Sequence, residues 1–428
     1  MAQLPSTLRF AFTPSGGYKA GALYPVVPKD NVGNFQVVRN SIGTRVNKDG
    51  LIEVMDANVP RLDYSDGGCP KLLTEGAFTN VCLWSEDFTK SEWTKSNVIL
   101  QDGFSSPDGN NDATKVIISG GNADHSIFQN LGSAVPYCLN SIFVKKAEYK
   151  KISVSPFGSS ANRVVFDIDE GYVDSVIGLD GDYGIEKHAN GWFRVWVSSA
   201  IVSGSTASYI LMTVVNDNGA TTFAGDGGFY IWGAFANTAS GLHTSNSSYI
   251  PTNGAIATRQ ADQVINGGNS STFNSQSGVL FADVKFKNQQ SPSMISLNSG
   301  GVTSRLDMYS YQGNSISFEY NKNSALASSI LVDTPIELKN KFAMQWGVGK
   351  TYVYVNGVKY EPSTATDVTY STNSLTNLGL QFYNGSFTLQ AETKSIQHYD
   401  SLSDLEMEQL TGYDSYSDMT SQFNFNVL

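Results

Sequence analysis

Cysteine is scarce in this sequence: Cys69, Cys82 and Cys138 are the only three in 428 residues. So sparse and odd a set excludes the disulfide framework of small secreted domains. Three reduced thiols packed as small hydrophobes are expected instead. There are four histidines, at 125, 188, 243 and 398. Their spacing fits no zinc-ligand pattern, and none stands in a setting that suggests the base of a catalytic triad. Charge is also thin, with 16% charged residues and a net charge of −11. The densest basic cluster is Lys145–Lys146 with Lys150–Lys151. Neutralising phosphates takes clustered Lys and Arg, so neither nucleic acid nor an anionic membrane surface is expected as a partner. No run of about 18 apolar residues exists, so no membrane-spanning helix is expected. Residues 1–14 hold one Arg and no apolar core, so no Sec export is expected. A nucleophile elbow, a P-loop and a dinucleotide fingerprint are all missing.

What is abundant is the material of strands and turns: 21 Tyr, 23 Phe and 40 Gly, with Ser, Thr and Asn filling gaps between short apolar runs. The expected fold class is all-β. Residues 1–70 read as an extended segment. Five of the thirteen prolines lie in its first 65 residues, and only 35–38 and 50–54 look strand-like. Such a segment needs something to lie on: a neighbouring subunit, a larger particle or its own chain. Residues 71–265 carry about nine short strand candidates bounded by Gly, Asn, Asp or Pro, which predicts an antiparallel β-sandwich. Asn190-Gly191 marks a tight turn there. The polar stretch 262–278 is a boundary, and residues 278–428 form a second β-rich block. Within it Asn356-Gly357, between Tyr352–Val355 and Val358–Tyr360, predicts a hairpin. One helix is expected near 403–410, with Ser403 and Glu406 as a capping box and Gly412 as C-cap.

Few residues suggest chemistry. Asp167, Asp169, Asp180 and Asp182 are paired at i and i+2, and loop carboxylates of this kind suit turn chemistry or a structural calcium ion. No other cofactor is indicated. Trp84, Trp93, Tyr309, Tyr311 and Tyr383 are candidate sugar-stacking platforms, because the apolar faces of sugars pack on aromatic rings. Trp192 and Trp196 share one strand face and read as core.

The runs Thr44-Arg-Val-Asn-Lys-Asp-Gly-Leu-Ile-Glu53, Asn58-Val-Pro-Arg-Leu-Asp-Tyr64, Cys69-Pro-Lys-Leu-Leu-Thr-Glu75 and Trp84-Ser-Glu-Asp-Phe88 resemble a block common in bacteriophage virion proteins. Phe166–Gly171, Asn190-Gly-Trp-Phe-Arg194, Tyr230–Ala234, Ser248–Thr252 and Thr258-Arg-Gln-Ala-Asp262 resemble its associated jelly roll, which is carbohydrate-binding-module-like. The C-terminal block is similar to concanavalin-A-like (laminin-G-like) domains, and the Glu-x-Asp-x-x-Glu run of the glycanases of that class is missing. The resemblance implies two tandem sandwiches, jelly roll then concanavalin-A-like, in a short non-catalytic head-fibre, decoration or tail-spike appendage located in the virion. It implies capsid, portal or tail proteins as partners through residues 1–70, a homo-oligomer, in particular a trimer, and cell-surface glycans as ligands. A virion-borne polysaccharide depolymerase and a receptor-binding tail fibre are the alternatives.

Overall fold

The computed structural model describes residues 7–14, 16–19, 22–24, 36–133, 137–156, 162–200, 207–239, 247–287, 292–311, 315–334, 339–363 and 367–413. They form an all-β chain with two tandem antiparallel sandwiches and, among the described residues, one α-helix.

The first sandwich has two six-stranded sheets. One runs Trp93–Ser96, Ser126–Ser133, Ala207–Val215, Lys151–Ser155, Arg163–Asp167, Tyr172–Ile177 in spatial order. The other runs Val98–Phe104, Ala113–Ile118, Gly228–Ala239, Tyr137–Lys146, Phe193–Ala200, Gly181–Lys187. Alternate side chains of both sheets meet in one core, including Ile127, Ile152, Val154, Ile142, Val195 and Ile231. Cys82 belongs to it as a buried thiol. The second sheet is covered on its outer face as well. There Trp192, Trp196 and Trp232 pack with Phe143, Tyr249 and Ile250 under the segments around 52 and 249–257. That double coverage explains why Tyr137–Lys146 is buried without alternation.

The second sandwich pairs a ten-stranded sheet with a five-stranded one. The smaller sheet orders Ala325–Asp333, Ser315–Lys322, Ser304–Tyr311, Met294–Asn298 and Asn377–Gly379. The larger is centred on Gly278–Phe286, flanked by Lys339–Trp346 and Ala391–Tyr399. The predicted hairpin is present: Val355 faces Val358, with Asn356 at φ 49° and Gly357 at φ 83°. The helix Asp404–Thr411 has the expected capping box. Gly412 donates its N–H to Glu408, but in extended rather than left-handed conformation.

The N-terminal segment lies on its own chain. Leu8–Thr13 joins the edge of Ala391–Tyr399, with Phe10 opposite His398. Phe10 and Phe12 enter the core between the sheets, while a register shift between Leu8 and Phe10 places Leu8 in a separate buried cluster with Val279 and Phe281. Lys71–Thr74 joins the same edge further along, opposite 391–393. Gln36–Val38 pairs with Gln263–Ile265, and Gly43–Val46 with Ile52–Met55. Phe10, Phe12, Val37, Leu72 and Val264 are therefore part of the second sandwich's core. The expectation of only two strands in the first 65 residues is corrected: Leu8–Thr13, Gly16–Lys19, Ala22–Tyr24, Gly43–Val46 and Arg61–Asp63 are strands too.

Candidate functional site

The segment that links the two sandwiches is fastened by buried charge. Arg39, Arg61 and Arg259 are all within 1% of complete burial, as is Asp262, and Glu75 is 4% exposed. Arg39 Nη1 donates to Asp262 Oδ1 at 2.9 Å, and Arg61 Nη2 donates to Asp262 Oδ2. Arg61 Nη1 reaches Glu75 Oε2 at 2.7 Å, and Arg259 Nη1 reaches the same oxygen at 2.9 Å. Ser248 closes the cluster, its hydroxyl donating to Glu75 at 2.6 Å and its N–H at 2.9 Å. Burial opposes the Arg61 charge, but Asp262 and Glu75 override it and hold the guanidinium protonated above its ordinary range. Burial likewise opposes the Glu75 charge, and Arg259 and Arg61 hold that carboxyl well below the usual range. Burial, only partly offset by Glu75, brings Arg259 down to about 10.

Beside this cluster lies a cleft of about 840 Å³. One wall is the turn Lys48-Asp49-Gly50 and the run Asp63–Gly67. A second is Glu186–Ala189 of the first sandwich, and a third is Lys285–Lys287 with Glu392 of the second. Arg194, Ser247, Ser248 and Tyr249 also line it. Local turns set these walls. Asn47 Oδ1 accepts from the amides of Asp49 (2.9 Å) and Leu51 (3.0 Å), which folds the first lip. Gly50, at φ 78°, leaves room for Ala189, whose Cβ would lie 3.0 Å from a side chain there. Asn190 (φ 59°) and Gly191 (φ 77°) reverse the chain, so that His188 and Arg194 return to the same place.

Within the cleft most carboxylates are engaged. Glu392 pairs with Lys71 (3.3 Å) and Lys287 (3.6 Å), and Lys71 also meets Asp66. Asp63 accepts the amides of Val46 (2.8 Å) and Ser65 (2.9 Å). Despite burial, Lys287 and Lys71 hold the Glu392 carboxyl below its usual range. Arg194 is 4% exposed and donates to Ser247 O at 2.6 Å and Ser141 Oγ at 2.9 Å. Its cation lies 5.2 Å from the Phe143 ring. Burial lowers its pKa, with Glu186 and Glu75 offsetting part of the shift. Burial, then the charge of Arg194, pushes His188 down to about 3. Tyr64 is half-buried on the wall and donates its backbone N–H to Val46 O.

The residues expected to bind sugar do not gather here. Trp93 is 1% exposed and belongs to the core, its indole N–H donating to Trp84 O at 3.1 Å, so no ring face is presented. Trp84 is half-buried at φ 55°, with Lys90 Nζ 4.5 Å from its ring and Gly254 against its edge. Tyr309 stands on the smaller sheet of the second sandwich. Its hydroxyl donates to Glu319 (2.6 Å), beside a strip in which Asp307 accepts from Ser296 and Arg305. Burial raises Asp307 to about 6. Tyr383 packs on Phe382 at 4.5 Å. The Tyr311 side chain lies outside the described residues.

The four aspartates do not assemble an oxygen cage. Asp167 ends a strand of one sheet, and its Oδ1 accepts the amides of Asp169 and Glu170, both at 3.0 Å, before Gly171 turns the chain. Asp169 pairs with Lys146. Asp180 precedes and Asp182 lies within Gly181–Lys187, the edge strand of the other sheet, where burial raises the Asp182 carboxyl. Among the described residues no three His, Cys, Asp or Glu side chains are grouped as a metal ion requires.

Sequence reasoning missed the cleft, because its walls come from three distant parts of the chain. One signal was available: Arg61, Glu75, Arg259 and Asp262 all fall inside the motifs that carry the resemblance. Apolar periodicity gives no reason for charges there.

No family model matches the chain, and no curated protein matches it in sequence. Among solved structures it is similar to the Ruminococcus gnavus IT-sialidase CBM40, at 12% identity over 35% of this chain and 94% of that one, with TM-score 0.29. The same module bound to alpha2,3 sialyllactose gives 13% identity over 32% and 84%, with TM-score 0.28. Domains LG4-5 of the mouse laminin alpha1 chain give 8% identity over 76% and 88%, with TM-score 0.22. Scores this low carry no weight for what the chain binds.

Proposed function

We propose that this chain is a non-catalytic, glycan-binding bacteriophage appendage of the head-fibre, decoration or tail-spike type, and that the cleft between its two sandwiches is where it holds saccharide. The observation that carries the glycan reading is the cleft. It has the volume of a small-molecule site, one half-buried aromatic wall at Tyr64, and polar groups converging from three segments. Three of its five carboxylates, Asp63, Asp66 and Glu392, are tied to lysines or backbone amides, which supports binding over cleavage. The virion assignment rests on the motif resemblance. Residues 1–70 are the segment proposed to contact capsid, portal or tail proteins. Trimerisation comes from the same resemblance. The exposed apolar side chains Tyr172, Val176 and Ile177 on one edge strand, and Leu326 and Leu331 on another, are surfaces that association would cover.

The test is an immobilised-glycan panel probed with the full chain and with Tyr64→Ala. Binding that weakens about tenfold, near 1.4 kcal/mol, in the variant is expected. Equal binding by both proteins removes the cleft from the reading. Antibody labelling of purified particles, and sedimentation of the purified chain, examine the virion and trimer assignments; unlabelled particles or a monomer alone would reject them respectively.

A depolymerase is the second reading, and one observation favours it. Burial raises the Glu86 carboxyl to about 7, in spite of the hydroxyl that Tyr249 donates to it at 2.8 Å. A carboxyl of that kind can donate a proton near neutral pH. New reducing ends released from host polysaccharide, and lost in Glu86→Gln, would replace the binding reading with this one.

A further inference from the structure

The charge around the cleft runs against that of the chain. The chain carries −11, whereas the cleft lining holds six Lys and Arg side chains to five Asp and Glu. Behind its floor, the carboxylates paired with Arg39, Arg61 and Arg259 among the described residues are those of Glu75 and Asp262. Arg194 deepens the imbalance. It is buried, it lines the cleft, and no carboxylate of a described residue lies within salt-bridge distance of it. Its Nη groups are spent on a carbonyl and a hydroxyl, which solvate a cation without neutralising it, and its Nε has no hydrogen-bond partner among the described residues. Glu186 stands opposite in strand register but is exposed. On the rim, Lys48, Lys187 and Lys285 make no hydrogen bond or salt bridge through their ammonium groups among the described residues; the neighbouring carboxylates are Asp49, Asp66 and Glu186, with Glu392 opposite Lys285 in strand register.

A buried cation beside water is costly unless an anion approaches it, and walls of low polarisability focus its field into the opening. We infer that the cleft takes an acidic saccharide, a uronic or sialic acid residue whose carboxylate settles between the Arg194 floor and the Lys187 and Lys285 rim. Tyr64 forms the apolar wall for the ring. The inference rests on the glycan-binding reading above and names its ligand class. The mixed lining suits one carboxylate among many hydroxyls better than a run of phosphates. Lys supplies a mobile point charge at the rim, and the engaged carboxylates Asp63 and Glu392 remain as hydroxyl acceptors.

The experiment titrates the full chain against three probes: oligosaccharides containing uronic or sialic acid, the same oligosaccharides with their carboxyl groups reduced to alcohols, and neutral oligosaccharides. Acidic probes are expected to bind at least tenfold more tightly than their reduced forms, with affinity falling as salt rises. The double variant Lys187→Gln/Lys285→Gln changes only rim side chains and so keeps the fold. It should lose most of that preference and flatten the salt dependence, while a circular dichroism melt stays unchanged. Equal binding of acidic and reduced probes overturns the inference and leaves glycan binding standing. Acidic binding that the double variant leaves intact also overturns it, because the carboxylate is then held elsewhere. Binding of no saccharide at all overturns both readings.

Discussion

Arg61 and Asp262 meet as a buried ion pair although 201 positions separate them in the chain. Each is shared: Arg61 also holds Glu75, and Asp262 also holds Arg39. Removing one member strands the rest in a buried site. Arg61→Met is therefore expected to cost on the order of 3–5 kcal/mol, read as a lower urea midpoint for the junction. A loss below about 1 kcal/mol would mean that solvent reaches the cluster.

The N-terminal strand is structural for the second sandwich. Phe10 is fully buried and its ring lies 5.9 Å from Phe273. Phe10→Ala should destabilise by about 3–5 kcal/mol. Limited proteolysis should then cut within 278–399 sooner than within the first sandwich. Equal protection of both halves would contradict this assignment.

Acid should loosen the same sandwich through His398. Its ring is fully buried between Trp346 (5.6 Å) and Phe273 (5.2 Å), with no hydrogen-bond partner for either nitrogen among the described residues, and burial pushes its pKa down to about 3. The unfolded chain takes up this proton near pH 6.5 and the folded chain only near 3. The contribution to stability is therefore intact above 6.5 and is lost as pH falls toward 3, at up to about 1.4 kcal/mol per pH unit. His398→Leu should remove that slope from the pH dependence of the urea midpoint. An unchanged slope would assign it to other groups, His188 first.

Glu86 carries the opposite sign. A carboxyl raised to about 7 binds a proton more tightly when folded. Its cost is absent below pH 4.5 and grows up to pH 7, reaching on the order of 3 kcal/mol. Glu86→Gln keeps an acceptor for Tyr249 and should raise stability at pH 8 while changing little at pH 4. A variant equally stable at both pH values would show that the carboxyl titrates normally.

Trp93 and Tyr64 should separate stability from binding. Trp93→Ala removes a ring from the core of the first sandwich, and about 3–5 kcal/mol of stability should go with it. The glycan affinity of the protein that stays folded should be unaffected. Loss of affinity in that folded fraction would place ligand near Trp84 instead.

The two sandwiches were legible because their signals are local. Asn356-Gly357 needs positive φ at both turn positions, and Ser403 with Glu406 closes a cap within one helical turn. The composition that excluded helices elsewhere was equally direct. Leu8–Thr13 was not legible as part of the far sheet, although Phe10 and Phe12 alternate with Ala11. Period two says which face is buried and nothing about the partner strand, and the surrounding prolines suggested a segment without regular structure. The platform reading of Trp93 failed for a related reason. Trp93 and Trp84 look alike in sequence, and only the packing of Phe88, 4.9 Å from the Trp93 ring, decides which of them lies inside. The cleft needed three segments in place before Arg194 and Tyr64 could be seen to share it.

Pairing Leu8–Thr13 with Ala391–Tyr399 also sets a timetable for biogenesis. A ribosome adding about 5–20 residues per second keeps the first strand waiting roughly 20–80 s for its neighbour. Through that interval Phe10 and Phe12 are apolar groups with no sheet to enter. A nascent chain stalled before residue 390 should thus be a substrate for holding chaperones, and release should coincide with delivery of Ala391–Tyr399.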